Sequence, residues 1–159
     1  MKVNRGLGAI CINAVLGNGK ESSNLHWVSS NTVSGIFEFM NPGFVAKWHP
    51  KLRNNPEAVA ALPTIRSRTF ANVTSELKVS RIDLWILDVE GAEEEILSGV
   101  DFKAVTINVI IMEGEGGSVK DQRKIKILTD NGFDCYHRAA DIICSNQSFK
   151  PFNKSFMTL

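Results

Sequence analysis

Two runs of apolar residues in the second half of the chain constrain the fold more than any other feature. Ile82 to Leu87 (IDLWIL) and Val105 to Met112 (VTINVIIM) are each apolar on both faces of a strand, which is typical of parallel strands covered on both sides. The residues between them, Gly91 to Gly99, are enough for one helix. Strand, helix and strand in this order predict a parallel crossover in an α/β sheet.

The sequence after the second apolar run predicts one more helix and a hairpin. Val119 to Thr129 has the periodicity of a helix, and Asn131-Gly132 is a typical stop signal. The two short strand-like runs that follow, FDCYHRA and ADIICSN, have little between them, which indicates an antiparallel pair. We therefore expect an α/β fold whose sheet ends in a C-terminal β-hairpin.

The first half of the chain is less regular. Gly8 to Gly17 (GAICINAVLG) and Thr64 to Val73 are predicted to be strands, and Thr74 to Lys78 a short helical turn. Residues 18–56 are too many for a plain connection in a compact domain, which indicates an insertion or lid. Its aromatic residues either anchor it on the core or form part of a substrate pocket. These aromatic residues are Trp27, Phe37, Phe39, Phe44 and Trp48.

Composition is that of one globular domain, with 159 residues of which 43% are hydrophobic. We place the domain at residues 1–146 and a peripheral tail at residues 147–159. A net charge of +1 gives no electrostatic argument for nucleic acid or an anionic membrane as a partner. No apolar run approaches the roughly 20 residues that span a bilayer. Asn13 interrupts the N-terminal apolar stretch, so we interpret that stretch as a strand rather than a cleaved signal peptide.

Three cysteines, Cys11, Cys135 and Cys144, are widely spaced in the sequence. They form no CxxC motif, which argues against a zinc site. Each lies in a predicted strand beside apolar residues, so we predict that all three are buried free thiols. Free thiols favour a reducing, cytoplasmic compartment.

Acidic residues follow both apolar runs. Asp88 and Glu90 come at the end of the first strand, and Glu113 at the end of the second. In open α/β sheets ligands bind at the carboxyl ends of strands. Asp88 is therefore a candidate to accept a proton from a hydroxyl group, and its alternative role is to cap the following helix. Glu93 to Glu95 suit the positive end of that helix.

Clustered carboxylates also suit magnesium or calcium ions. The spacing of these acids does not follow the pattern of an EF-hand loop. We predict no metal site.

The run LDVEGAEEEILSGVDF, Leu87 to Phe102, resembles the signature of the FkbM-type methyltransferases. These are class I enzymes that depend on S-adenosylmethionine, and many of them methylate a hydroxyl group. Upstream, Asn13-Ala14 with Gly17 resembles the family's third strand and its exit loop, while the Asn4-Arg5 opening and residues 18–56 resemble the eukaryotic Star-like branch. The positions that match the signature are Asp88, Glu90, Gly91, Glu93, Leu97 and Gly99.

The resemblance implies a Rossmann-like class I methyltransferase sheet, S-adenosylmethionine as the cofactor, and a small-molecule or glycan hydroxyl as the acceptor. It implies catalytic roles for Asp88 and Glu90, and cofactor contacts for Asn13 and Glu113. The family does not imply a metal.

The sequence departs from the family's pattern at the cofactor-holding elements. A loop of approximately Asp-x-Gly-Ala-Asn-x-Gly follows the family's first strand, and an acidic residue after the second strand holds the ribose. Neither is found here, so we expect an incomplete sheet, the C-terminal portion of the domain, whose edge is covered by a partner or a missing segment. We expect the isolated chain to be inactive. The alternative is a non-catalytic remnant or a protein-interaction domain that retains the half-sheet.

Overall fold

The computed structural model describes residues 10–12, 14–18, 25–30 and 33–150. Within these residues the chain forms nine strands and five α-helices. The strands are β1 (Val15–Leu16), β2 (Leu25–Val28), β3 (Gly35–Ile36), β4 (Thr64–Ile65), β5 (Ser67–Arg68), β6 (Arg81–Leu87), β7 (Thr106–Glu113), β8 (Phe133–Arg138) and β9 (Asp141–Asn146). The helices are α1 (Pro42–Trp48), α2 (Pro56–Ala60), α3 (Phe70–Glu76), α4 (Glu93–Ser98) and α5 (Val119–Asp130), and a 3₁₀ helix covers Phe37–Phe39.

The largest sheet has the strand order β6-β7-β9-β8. Strands β6 and β7 are parallel, and α4 lies between them in the sequence. Strand β9 runs antiparallel to both β7 and β8. The predicted parallel pair and the predicted terminal hairpin are both confirmed, and the fold is mixed α/β.

The main core lies on the face of this sheet that carries Ile110 and Met112 of β7, both fully buried. Leu97 of α4 and Leu128 of α5 belong to the same buried cluster. The two helices are also joined at the surface by a bidentate ion pair between Arg123 and Glu94, with nitrogen–oxygen distances of 2.7 and 2.9 Å. Glu94 therefore links two helices as well as carrying charge at a helix start.

Strand β6 is not covered on both faces, so that prediction is wrong. Leu87 is buried, but Leu84 and Ile86, which point to the other face, are 53% and 66% exposed. In the described part of the chain no strand pairs with β6 on the side away from β7. An edge strand with one covered face leaves its second set of apolar side chains in solvent.

The predicted strand at Thr64 to Val73 is wrong beyond Arg68. Strands β4 and β5 occupy its first half, and α3 begins at Phe70. The Thr69 hydroxyl accepts a hydrogen bond from Asn72 N at 3.0 Å and caps this helix. The extended chain therefore ends at a capping threonine, whereas the alternating pattern predicts a strand that continues to Val73.

The predicted strand at Gly8 to Gly17 is realised only in β1, which pairs in parallel with β5. Gly8 and Asn13 lie outside the described residues. Ile10 and Ile12 are exposed and not part of a strand, so the prediction is wrong for them.

Much of the segment 18–56 has a structure of its own. Strand β2 pairs with β3 and β4, and a small apolar cluster contains Val28, Met40 and Val45. The side chain of Asn41 accepts hydrogen bonds from the first turn of α1, and Pro42 follows at a position where a helix needs no donor. The described residues of this segment, 18, 25–30 and 33–56, therefore form strands, helices and a small apolar cluster.

The prediction of buried free cysteines is wrong. Cys135 and Cys144 face each other across the β8–β9 hairpin and form a disulfide, while Cys11 is free and exposed. The two paired cysteines lie at equal distances from the Ala139-Ala140 turn, so the hairpin register brings them together. The disulfide removes the argument from free thiols for a reducing compartment.

Candidate functional site

The candidate site lies where β6 and β7 end. Leu87 at the end of β6 pairs with Met112 of β7, so the turns that follow the two strands meet at one edge. Asp88, Glu90 and Glu113 line a common cleft there, together with Asp141 of the hairpin. The structure thus brings three of the four predicted site residues together. The fourth, Asn13, lies outside the described residues.

The turn between β6 and α4 is held by Glu93. Its buried carboxylate accepts hydrogen bonds from the main-chain N–H groups of Val89 and Gly91, both at 3.3 Å. Asp88 is exposed, and α4 starts after Ala92 without a side-chain cap. The alternative role of Asp88 as a helix cap is therefore wrong, and Asp88 remains a site candidate.

Two residues of this turn adopt left-handed backbone conformations. Glu90 has φ of 54° and Gly91 has φ of 100°. A Cβ atom at Gly91 would lie 3.3 Å from the main-chain oxygen of Phe39, so glycine permits the segment 18–56 to approach the turn. The left-handed backbone at Glu90, a non-glycine residue, is a feature that clusters at functional sites.

The turn between β7 and α5 is held by a buried ion pair. Asp121 accepts hydrogen bonds from the main-chain N–H groups of Glu115 and Gly117 at 2.8 and 2.9 Å. Lys124 Nζ lies 3.0 Å from Asp121 Oδ1 and donates to the main-chain oxygen of Glu113 at 2.8 Å. Asp121 and Lys124 are 0% and 1% exposed. The pair fixes the backbone that carries Glu113 and Glu115.

Sequence reasoning missed this pair, although a signal was present. Asp121 and Lys124 occupy the same helix face as Leu128, which is buried. Charged residues at inward-facing positions are buried only when they are paired. Burial alone raises the pKa of Asp121, but Lys124 and the two N–H donors outweigh burial and hold the pKa below its usual value.

Two acids at the mouth of the site, Glu90 and Glu113, have raised pKa values. Burial raises the pKa of Glu90, and the negative charges of Asp88 and Glu93 raise it further. Burial also raises the pKa of Glu113, as do Glu90, Glu93 and Asp88, while Lys124 opposes the shift. A carboxylate with a raised pKa holds a proton more strongly and is the better general base near neutral pH.

Two further clefts meet at Glu90. The first, here called the polar cleft, has a volume of about 400 Å³ and lies between the acidic turns and α1. Its lining residues are Asn41, Gly43, Phe44, Lys47, Trp48, Glu90, Gly91, Glu113, Glu115 and Lys120.

The second, here called the apolar cleft, has a volume of about 360 Å³ and lies between β1, β3 and β6. Trp27, Trp85 and Leu87 form part of its walls, and Asp88 and Glu90 are its acidic residues. Glu90 therefore borders both clefts.

The segment 18–56 contributes to both clefts and to the core. Phe44 and Trp48 line the polar cleft, Trp27 lines the apolar cleft, and Phe39 lines the apolar cleft and packs against the main core. Anchoring on the core is confirmed for Phe39, and a substrate pocket built partly from the aromatic residues stays a prediction. In the described ranges no three His, Cys, Asp or Glu side chains are grouped to hold a metal ion.

The sequence from residue 3 to residue 135 matches the model of the methyltransferase FkbM domain. This span covers most of the chain and both acidic turns, so the chain belongs to the FkbM methyltransferase domain family. The match does not distinguish branches within the family. Comparison with curated proteins and with solved structures found no significant match to either. No helix among the described residues has the length and apolar character needed to cross a membrane.

Proposed function

We propose that this chain transfers the methyl group of S-adenosylmethionine to a hydroxyl group of a small-molecule or glycan acceptor. The observation that carries the proposal is the position of Glu90, between two clefts at the carboxyl end of β6, with a raised pKa. Membership of the FkbM family supports methyl transfer as the reaction class. Two adjoining clefts suit a reaction that joins a donor and an acceptor.

In this proposal the acceptor lies in the polar cleft, and Glu90 accepts the proton of its reacting hydroxyl group. Asp88 acts through its charge, which raises the pKa of Glu90. Glu113 lies on the same wall and accepts a hydrogen bond from a second hydroxyl group of the acceptor. The rate is expected to rise with pH through the raised pKa of Glu90, because only the ionised carboxylate accepts a proton.

The apolar cleft fits S-adenosylmethionine only in part. Its apolar wall, including Trp85 and Leu87, suits an adenine ring, and the carboxylates of Asp88 and Glu90 suit cationic or hydroxyl groups. None of the described residues that line it is a lysine or arginine that could pair with the cofactor's carboxylate. We therefore propose that the chain by itself holds the cofactor weakly.

A calorimetric titration of the purified chain with S-adenosylmethionine tests the weak binding. We expect no saturation below about 1 mM cofactor, which corresponds to a binding free energy of about −4 kcal/mol. Micromolar affinity would show that the donor site is complete and would contradict this part of the proposal.

Methyl transfer itself is measured with radiolabelled S-adenosylmethionine at millimolar concentration and a panel of hydroxyl acceptors. Glu90→Gln is expected to lower the rate by about 10²-fold, the usual contribution of a general base. Glu95→Gln is the matched control, because Glu95 lies on α4 and lines neither cleft. Equal rates for the parent chain and E90Q would exclude Glu90 as the base.

A second candidate function, a non-catalytic interaction domain, is favoured by the uncovered face of β6. Leu84 and Ile86 present apolar surface there; Leu84 lines neither cleft, and Ile86 lines the apolar cleft but is 66% exposed. Exposed apolar patches often mark protein–protein contacts. A correctly folded chain that transfers no methyl group to any acceptor in the panel would support this function over the first.

A further inference from the structure

We propose that Asn72 is the acceptor of an N-linked glycan, which is added while the chain passes through an oxidising secretory compartment. Asn72, Val73 and Thr74 form an Asn-x-Thr sequon within α3. This modification is independent of the proposed function, because α3 contributes no residue to the polar cleft or the apolar cleft. A sequon of three residues has little specificity by itself, so two further observations support the proposal.

The first observation is the disulfide across the β8–β9 hairpin. Disulfides persist in secreted proteins and in the lumen of the secretory pathway, whereas cytosolic disulfides are usually transient and serve catalysis or redox sensing. Cys144 is 0% exposed and belongs to the main core cluster. A disulfide enclosed in the core is structural rather than transient, so it indicates that the chain folds where thiols are oxidised. Asn-x-Ser/Thr sequons are glycosylated in proteins of that compartment.

The second observation is the position of Asn72 on the solvent side of α3. Phe70, two positions earlier, is buried, and its ring centroid lies 4.8 Å from that of Trp85. Residues two positions apart on a helix do not share a face, and Asn72 is exposed. An oligosaccharide on Asn72 therefore extends into solvent and leaves the packing of Phe70 undisturbed.

The sequon is also accessible before the chain folds. Helix α3 has seven residues, and isolated helices shorter than about 12–15 residues are only marginally stable in water. Its stability depends on the Thr69 cap and on the burial of Phe70 in the main core. Until that core forms, residues 70–76 are an unfolded segment that a transferase can bind.

The transfer joins Nδ2 of Asn72 to the anomeric carbon of a lipid-linked oligosaccharide diphosphate. The bond between that carbon and the diphosphate oxygen breaks, and the lipid diphosphate leaves with the electron pair. Nδ2 loses one proton to a base of the transferase, so the product is a neutral amide that carries the glycan. The Thr74 hydroxyl completes the sequon, and in the folded chain it donates to the main-chain oxygens of Phe70 and Ala71 at 3.0 and 3.2 Å.

The sequon at Asn146, Gln147 and Ser148 is less suited to carry a glycan. Asn146 lies opposite Phe133 in the hairpin, and Phe133 is 1% exposed. The half-buried side chain of Asn146 accepts hydrogen bonds at Oδ1 from Ser148 N and Oγ at 2.9 and 2.6 Å. A glycan there would oppose the packing at the end of the hairpin. We therefore expect the folded chain to carry a glycan on Asn72 and none on Asn146.

Peptide mapping of the full chain from its native source, with free thiols alkylated before lysis, tests the proposal. Peptide-N-glycosidase releases N-linked glycans and converts the acceptor asparagine to aspartate, and digestion in heavy-oxygen water marks the position. We expect conversion at Asn72, together with Cys135 and Cys144 joined as a disulfide. No conversion at Asn72, conversion at Asn146 alone, or recovery of Cys135 and Cys144 in alkylated form would overturn the proposal.

Substitutions in the full chain, directed into the secretory pathway of insect cells by a cleavable leader, locate the acceptor. Electrophoretic mobility before and after glycosidase treatment is the measurement. Asn72→Gln and Thr74→Ala are expected to abolish the glycosidase-sensitive shift, whereas Thr74→Ser keeps the hydroxyl group and should retain it. Asn131→Gln is the matched control, because Asn131 is exposed and lies outside any sequon.

The variants also separate Asn72 from the sequon at Asn153, which lies outside the described residues. A glycosidase-sensitive shift that persists in full in both N72Q and T74A would assign the glycan to another position and overturn the proposal. Circular dichroism of the secreted variants checks that they fold like the parent chain. Loss of the shift in T74A with its retention in T74S would support Asn72 even if N72Q folded poorly.

Discussion

The two turns that carry the acidic residues are built alike but charged differently. In each turn, one buried carboxylate accepts hydrogen bonds from two main-chain N–H groups, Glu93 after β6 and Asp121 after β7. The Asp121 bonds are shorter, and Lys124 lies beside that carboxylate. Among the described residues no lysine or arginine forms an ion pair with Glu93.

Because of this difference, the turn after β7 is suited to rigidity and the turn after β6 to reactivity. The paired carboxylate of Asp121 fixes a loop while its charge is balanced within the helix. The unpaired carboxylate of Glu93 leaves negative charge beside the site, and that charge helps to raise the pKa values of Glu90 and Glu113. One turn is thus organised for stability, and the other keeps the site acids basic.

The largest expected effect comes from breaking the paired turn. Lys124→Met leaves Asp121 as a buried, unpaired charge and is expected to lower the free energy of unfolding by about 3–5 kcal/mol. Urea denaturation at neutral pH measures the change. Lys126→Met is the matched control on the same helix, because Lys126 pairs with Asp130 at the exposed surface and should contribute about 0.5 kcal/mol or less.

A double variant sharpens this test. Asp121→Asn combined with Lys124→Met removes the uncompensated charge, so the double variant should be more stable than K124M alone. If K124M costs less than about 1 kcal/mol, the pair does not hold the turn in the way that its burial implies.

A smaller effect is expected in the unpaired turn. Glu93→Gln keeps an oxygen that can accept the two N–H groups and removes a buried charge, so the loss in unfolding free energy should be about 1 kcal/mol. The same substitution should lower the pKa of Glu90, because it removes one of the charges that raise it. Carbon-detected NMR titration of the Glu90 carboxyl measures this shift directly. An unchanged pKa of Glu90 in E93Q would show that the charge of Glu93 does not raise it, and the two turns would then not differ in this respect.

The smallest expected effect is the change with pH in the contribution of Glu113 to the free energy of unfolding. The folded pKa of Glu113 is raised, so the folded state binds the proton more tightly than the unfolded chain, whose glutamates titrate near 4.5. The stabilising contribution of Glu113 is therefore fully present at pH values below the unfolded pKa, and it is lost as the pH rises through the raised folded pKa. Glu113→Gln should therefore match the parent chain in acid and exceed it at neutral pH, by well under about 1 kcal/mol because solvent screens this exposed group.

Urea denaturation of the parent chain and of the Glu113→Gln variant, from acidic to neutral pH, checks the prediction for Glu113. Asp121 should act in the opposite sense, since its pKa is lowered and its contribution is lost as the pH falls through that value. A Glu113→Gln variant that is less stable than the parent at neutral pH would contradict the prediction.

Local patterns in the sequence determined the parallel strands, α5 and the terminal hairpin. Each depends on periodicity and stop signals within about a dozen neighbouring residues. The same reasoning placed Asp88, Glu90 and Glu113 at strand ends, and the parallel pairing of β6 with β7 then brings them together. The signature around Asp88 also identified the family that the match to residues 3–135 shows.

The tertiary structure alone decided which surfaces are covered and which charges are paired. The uncovered face of Leu84 and Ile86, the disulfide across the hairpin and the Asp121–Lys124 pair all depend on partners that packing brings together. The position of α1, which forms one wall of the polar cleft, is decided in the same way. Burial and electrostatic coupling are properties of neighbours in space, so a linear pattern can indicate an acidic strand end but not the environment that sets its pKa.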